Sequence, residues 1–314
     1  MKIILGTPIN SRPKPWLYFK INSLMVNAFD ILKNRRYLNN SSLRMILNFD
    51  NEIWIDSGGY QFLKHGIEPK IEDIERIYEK YWDARFYLNL DYPPSPSDDE
   101  YTLKIKLRKS LENYDRLFKK FENTIPIIHF HHKIDIIMNF LKKYLNYNFE
   151  ILAVGALVPY VLMTKGVPSG SRRLAINFLK ELRSIFKGKI HVLGLGSPIV
   201  TAILKAIGID STDSSTWRVK AAYGKIVSPG GGEVHVTDRN INFGKKKASI
   251  QDINRIYNFL RETNFPLIGD FWKICTDFEY RALVNAWIVI HSEELPRCRS
   301  FLKIYREAIS ARGR

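Results

Sequence analysis

Short apolar runs alternate with longer amphipathic ones along most of this chain. The apolar runs fall at residues 2–5, 24–29, 52–56, 86–91, 125–130, 150–157, 189–195 and 208–213. They are rich in Ile, Leu, Val and Phe, the composition of strands covered on both faces. Between them, residues 71–82 place Ile71, Ile74, Ile77, Tyr78 and Tyr81 at helical spacing. Residues 99–121, 134–144, 171–186 and 198–207 follow the same rule, and 29–47 reads as helical in part. Strands that alternate with helices make βα units and a parallel sheet. Eight such strands argue for a closed α/β architecture, a (β/α)8 TIM barrel, rather than an open sheet.

The pattern changes after Asp213. Two β-like runs flank Pro229-Gly230-Gly231-Gly232, which predicts a hairpin insertion. Helical patterns return at 251–263, 278–291 and 300–310. The expected organisation is therefore a barrel over residues 1–240 and a helical C-terminal extension over 241–314, packed on the barrel. With 314 residues and 45% hydrophobic positions, one barrel of this size can bury its core.

Charge narrows the function. Lys and Arg number 48 against 32 Asp and Glu, a formal net charge of +16. Such an excess repels itself unless a polyanion relieves it, and nucleic-acid phosphates do so with release of counterions. Arg218, Lys220 and Lys225, the run Lys245-Lys246-Lys247, and Arg172-Arg173 are the candidate phosphate contacts. Two cysteines, Cys275 and Cys298, are too few for a disulfide scaffold and fit an intracellular, cytoplasmic location. No apolar run reaches the roughly 20 residues that span a bilayer, so no membrane partner is expected.

Candidate chemistry lies where the strands end, the active-site face of a barrel. Asp56, Asp91, His129 and Asp213 each close a predicted strand. Singly, an aspartate there caps the next helix and a histidine is a core residue; together they point to a site. In Asp56-Ser57-Gly58-Gly59-Tyr60-Gln61 a carboxylate precedes two glycines, which would let the backbone approach a flat ligand, and Tyr60 offers a stacking surface.

This segment resembles the DSGG[FY]Q motif of tRNA-guanine transglycosylases. Other segments resemble that family's motifs in order: Asn27-Ala28-Phe29, Leu90-Asp91-Tyr92-Pro93-Pro94, Val154-Gly155-Ala156-Leu157, the run from His191 to Pro198, and the run from Gly208 to Asp213. The resemblance covers roughly residues 1–220. It implies that Asp213 attacks C1′ of a guanosine-type nucleotide and that Asp56 is the general acid-base. It further implies a base pocket of Ser57, Gly58, Tyr60, Asp91, His129, Gly155, Ala156 and Leu157. Two neighbouring carboxyls repel, so one is expected to hold its proton unusually well.

The chain also departs from the family. His129 stands where a glutamine is usual, and Ser214 to Arg218 replace the usual surroundings of the nucleophile. The family's zinc cluster is missing. Cys275, His291 and Cys298 lack its spacing, so zinc is disfavoured and no cofactor is required. The chain is also shorter than archaeal tRNA enzymes with their RNA-binding domains. These features resemble the branch that places 7-deazaguanine bases, such as 7-cyano-7-deazaguanine (preQ0), into DNA, as in viruses and mobile elements. The expected partners are DNA, or tRNA in a minimal enzyme, and a free 7-deazaguanine base, with a helper ATPase or helicase to open a duplex. A catalytically inactive nucleic-acid-binding barrel is the reading from another class.

Overall fold

The structure is a computed structural model that describes residues 1–34, 37, 42–238 and 246–310. All eight predicted strand regions are present. They are β1 (Lys2–Gly6), β2 (Ser23–Asn27), β3 (Glu52–Asp56), β4 (Phe86–Leu88), β5 (Thr124–Ile125) with β6 (Ile127–His129), β7 (Ile151–Gly155), β8 (Lys189–Val192) and β9 (Ser211–Ser214). The hydrogen-bonded order is β5-β4-β3-β2-β1-β9-β8-β7-β6, parallel throughout. β5 and β6 are two halves of one strand. Pro126 has no N–H to donate to a ladder, so the strand is divided there. Its carbonyl still accepts from Ala153 N at 2.9 Å. The first and last strands of the order are thus the same strand, and the sheet closes as a (β/α)8 barrel.

The barrel is packed with side chains. Ile4, Met25, Trp54, Leu88, Ile125, Ile127, Ile151 and Ala153 form its interior cluster. At the floor, Glu52 accepts from Lys2 and from the Trp54 indole. Helices cover the outside as predicted. Glu100–Lys120 starts at Asp99, whose side chain accepts from Thr102 N at 2.7 Å. Helix Ile71–Lys80 buries Ile74, Ile77 and Tyr78, and the other short apolar faces do the same.

After β9 a short helix, Thr216–Ala222, leads to the hairpin β10 (Lys225–Val227) and β11 (Glu233–His235), which pair antiparallel. The core crosses residue 240. Ala282, Ala286 and Val289 of helix Phe278–His291 share a cluster with Leu5, Leu24 and Trp217. That helix packs against Thr216–Ala222 and β1, and so takes the place of the barrel's eighth helix. Asn285, fully buried, ties these parts together. Its Oδ1 accepts from Val227 N at 2.8 Å, and its Nδ2 donates to Trp217 O at 3.1 Å and Lys225 O at 3.0 Å.

Asn285→Ala strands three buried backbone groups at once. It is expected to destabilise the fold by about 2–4 kcal/mol in urea unfolding, well beyond the loss of one ordinary hydrogen bond. A change below about 0.5 kcal/mol would show that the clasp contributes nothing.

Candidate active site at the barrel mouth

Three carboxylates lie close together at the C-terminal mouth. Asp56 ends β3 level with Asn27 at the end of β2. Asn27 Nδ2 donates to Asp56 Oδ2 at 2.6 Å, while Asn27 Oδ1 caps the following helix by accepting from Phe29 N at 2.9 Å. Asp56 keeps a partly accessible edge, but its carboxyl group is packed round by protein. Burial, then the negative charges of Asp91 and Asp213, push its pKa up to about 8. At neutral pH Asp56 therefore carries a proton that it can give away.

Asp213 lies in β9 and faces a different environment. Gly194 N donates to its Oδ1 at 2.7 Å. Gly196 N donates to its backbone carbonyl at 3.0 Å. His191 is fully buried; its Nδ1 meets Ser211 Oγ at 2.9 Å and its Nε2 stands 3.4 Å from Asp213 Oδ1, outside hydrogen-bond alignment. The backbone between His191 and Gly196 thus wraps the carboxylate and its strand. A Cβ on Gly196 would come within 2.7 Å of Asp213 O, so no other residue fits there.

Asp91 is 6% exposed and bonded to His129 Nε2 at 2.7 Å. The chain around it is pinned by helix Glu100–Lys120: Asn89 Nδ2 donates to Ser110 O, Ser110 Oγ accepts from Tyr92 N, and Asn113 Nδ2 donates to Leu90 O. Ser57 Oγ donates to Asn89 O at 2.8 Å. A narrow cleft opens beside Asp91, between Gly59, Phe62, Leu63 and Pro93.

The glycines of the Asp56–Gln61 segment have neighbours within the protein. Gly58 has φ +88°, and a Cβ there would come 2.6 Å from Asn27 Oδ1. A Cβ on Gly59 would come 2.1 Å from Asp91 Oδ1. Their immediate need is thus to let the ends of β2, β3 and β4 converge. Gly155 leaves room for the His129 ring, which would lie 3.0 Å from a Cβ. Ala156 turns the chain at φ +59°, and Leu157 is buried beneath the mouth. Tyr60, 63% exposed on helix Gly59–Lys64, is free to stack on a ligand.

The basic candidates fare unevenly. Lys225 is fully buried and paired with Glu233 at 2.6 Å, and Lys220 binds the other oxygen of the same carboxylate. Both therefore stitch the hairpin to the helix after Asp213 rather than face a polymer. Arg172 packs over Phe301 and Arg173 forks onto Glu307, so this pair anchors helix Arg299–Ser310. Arg218 is partly buried, with its guanidinium 5.7 Å from the Phe278 ring centre. Lys246 and Lys247 are exposed, Lys246 lying 3.4 Å from Asp252. Lys245 lies outside the described residues. The Gly-rich turn is tied into the protein: Gly230 O accepts from Arg297 N and Gly230 N donates to Ser292 Oγ. His131 is buried, and burial with its neighbours His132 and Lys133 pushes its pKa down to about 4, so it is no cation for phosphate at neutral pH.

Cys275, His291 and Cys298 do not converge. Cys275 and Cys298 are exposed thiols, and His291 stacks on Trp287. Among the described residues no group of three or more His, Cys, Asp or Glu side chains is placed to hold a metal ion. Nor, among them, is any helix long and apolar enough to cross a membrane. Asn27, His191, Gly194 and Gly196 join the site although sequence reasoning did not assign them a role in it. Each lies in a quoted motif, so the signal was present.

No family model matches the chain. Uncharacterized protein 306 of Sulfolobus islandicus rod-shaped virus 1 is 28% identical over 299 residues, 92% of this chain and 81% of that protein. The tRNA-guanine(15) transglycosylase of Nanoarchaeum equitans is 26% identical over 216 residues, 66% of this chain and 50% of the enzyme. That of Pyrococcus furiosus is 25% identical over 240 residues, 74% of this chain and 40% of the enzyme. The chain thus spans half the length or less of these two archaeal enzymes. Several such enzymes align with it, and the closed parallel barrel agrees with the fold that the motifs imply. These likenesses support placing the chain in the tRNA-guanine transglycosylase superfamily.

Proposed function

We propose that this chain exchanges guanine in nucleic acid for a free base of the 7-deazaguanine type, through a covalent glycosyl-enzyme intermediate. The observation that carries the reading is the unequal treatment of two neighbouring carboxyls, one enclosed so that burial favours its protonated form, the other held by a backbone N–H. A carboxyl Oδ of Asp213 attacks C1′ of the nucleotide. The C1′–N9 bond breaks with its electron pair leaving on the base, and the Asp56 proton passes to that base. The incoming base then gives a proton back to Asp56, its N9 attacks C1′, and the Asp213 carboxylate departs. Two displacements at one carbon retain the anomeric configuration.

Asp91 would accept from the guanine N1–H and 2-amino group, and Tyr60 would stack on the ring. The polymer we propose is DNA, because a relative that aligns along most of both chains is viral. The aligned archaeal enzymes are named for tRNA, which makes tRNA the alternative polymer. In duplex DNA the nucleotide must be flipped from the stack, at a cost of about a few kcal/mol. A helper ATPase or helicase would lower that cost.

Purified protein incubated with radiolabelled guanine should transfer label into DNA and leave tRNA unlabelled. Label in tRNA alone would make the chain a tRNA enzyme, and label in neither polymer, with a helper-containing extract added, would refute base exchange. Asp213→Asn should keep its fold, lose about 10³-fold or more in exchange rate, and form no denaturation-resistant complex with the polymer.

Asp56 makes two pH predictions. As the proton donor it must be protonated, so kcat/KM should fall as pH rises through about 8. Its folded pKa lies above the unfolded value of about 3.9, so the folded state binds the extra proton between those values. Its stabilising contribution is fully present below about pH 4 and is lost as pH rises through about 8. Asp56→Asn should remove that loss and be more stable than wild type at pH 8, by on the order of a few kcal/mol, while inactive. A variant less stable than wild type at pH 8 would contradict the protonated assignment.

A further inference from the structure

The Asp91–His129 pair stands out among the buried polar groups. His129 is fully buried, and its Nε2 lies 2.7 Å from Asp91 Oδ2. Among the described residues its other nitrogen, Nδ1, has no hydrogen-bond partner. This settles the direction of the bond on physical grounds. A buried N–H without an acceptor is rarer and costlier than a lone pair without a donor. The proton therefore belongs on Nε2, and the imidazole donates to the carboxylate. The tautomer in which Asp91 donates would place an orphaned N–H on the Nδ1 side.

The ring is held by its surroundings. His129 is paired in register with Gly155 across β6 and β7, and the missing Cβ of Gly155 provides the space for it. On the other side, Asp91 Oδ1 lies against Gly59, where a Cβ would stand 2.1 Å away. Ser57 Oγ is 3.4 Å from the same oxygen but gives its proton to Asn89 O. The imidazole is thus the close side-chain donor to this carboxylate, and Asp91 is left with its remaining acceptor capacity for an incoming molecule.

We infer that His129 does not read the base itself but is a positioning residue, which fixes Asp91 in one rotamer as an acceptor-only group and thereby selects bases that present two adjacent N–H donors. This rests on the reading that Asp91 meets the purine edge. A guanine or 7-deazaguanine carries N1–H beside a 2-amino group and satisfies a carboxylate with both. Hypoxanthine offers one of the two, and adenine presents a bare N1. Buried acceptors left unpaired make such bases poor ligands. The imidazole contributes by removing rotamer freedom from Asp91 before the base arrives, a gain in binding rather than in the chemical step.

The test uses His129→Gln, which retains an uncharged side-chain donor, and His129→Leu, which does not. Exchange of labelled guanine is measured for each across guanine concentrations. His129→Leu should raise KM for guanine at least tenfold with kcat changed less than threefold, and should narrow the preference for guanine over hypoxanthine. His129→Gln should recover most of the wild-type KM. Equal losses in both variants, or a loss confined to kcat, would overturn the assignment.

A second measurement needs neither activity nor a variant that folds. In ¹⁵N-histidine-labelled wild-type protein, His129 should be found as the Nε2-protonated tautomer with a slowly exchanging, downfield Nε2 proton. The Nδ1-protonated form would refute the positioning role even if exchange is observed. Absence of exchange together with the Nε2 tautomer would instead refute the base-exchange reading and leave the Asp91–His129 geometry standing.

Discussion

Three carboxyl groups sharing the mouth of one barrel impose the constraint that organises this site. Like charges in an enclosed space repel strongly, so Asp56, Asp91 and Asp213 cannot all be bare anions there at little cost. The fold treats each one differently. Asp56 is enclosed, receives one amide from Asn27 and retains its proton. Asp91 is met by the imidazole of His129. Asp213 is met by a backbone N–H from the turn that follows β8. The proposed acid and the proposed nucleophile therefore differ in their surroundings while sharing a residue type. Environments that push two carboxyls apart are what acid and nucleophile roles require.

That arrangement has a cost in backbone space, and the glycines meet it. Asp91 sits against Gly59, Asn27 against Gly58, His129 against Gly155 and the Asp213 carbonyl against Gly196. At each place a Cβ would collide with a carboxyl, an amide, an imidazole or a peptide oxygen. The barrel brings its strand ends together at the mouth, and Asn27, Asp91, His129 and the Asp213 carbonyl each lie against a glycine on a neighbouring segment. Motifs that read as ligand contacts are thus also the packing solution that lets the polar groups converge.

Much of this was legible in the sequence, for identifiable reasons. Strands covered on both faces are continuous apolar runs, so all eight regions stood out, and strand ends located Asp56, Asp91, His129 and Asp213. Hidden features involve a local break in a strand and partners distant in sequence. Pro126 divides a strand that periodicity reads as one piece. Helix Phe278–His291 looks like an appendage until Ala282, Ala286 and Val289 are seen in the barrel's core. Lys220 and Lys225 follow Asp213 and look like phosphate ligands, but Glu233, delivered by the hairpin turn, binds both. Charge along a sequence does not say which charges are already answered.

The same accounting changes how the basic excess acts. Arg173, Lys220 and Lys225 are paired with acidic side chains and Arg172 with Ser300 and the Phe301 ring, yet the net charge of +16 already counts every acid and is unaffected by pairing. What pairing removes is local donors close to the mouth. What remains is a summed field over the surface, of the kind that raises the rate of encounter with a polyanion without specifying its sequence. Selectivity then has to come from the mouth itself, where burial lets a few polar contacts discriminate. On the proposed function, a diffuse field that gathers the polymer and a small enclosed pocket that tests one base are separate devices. The separation explains why Lys220 and Lys225 can be given over to holding the hairpin.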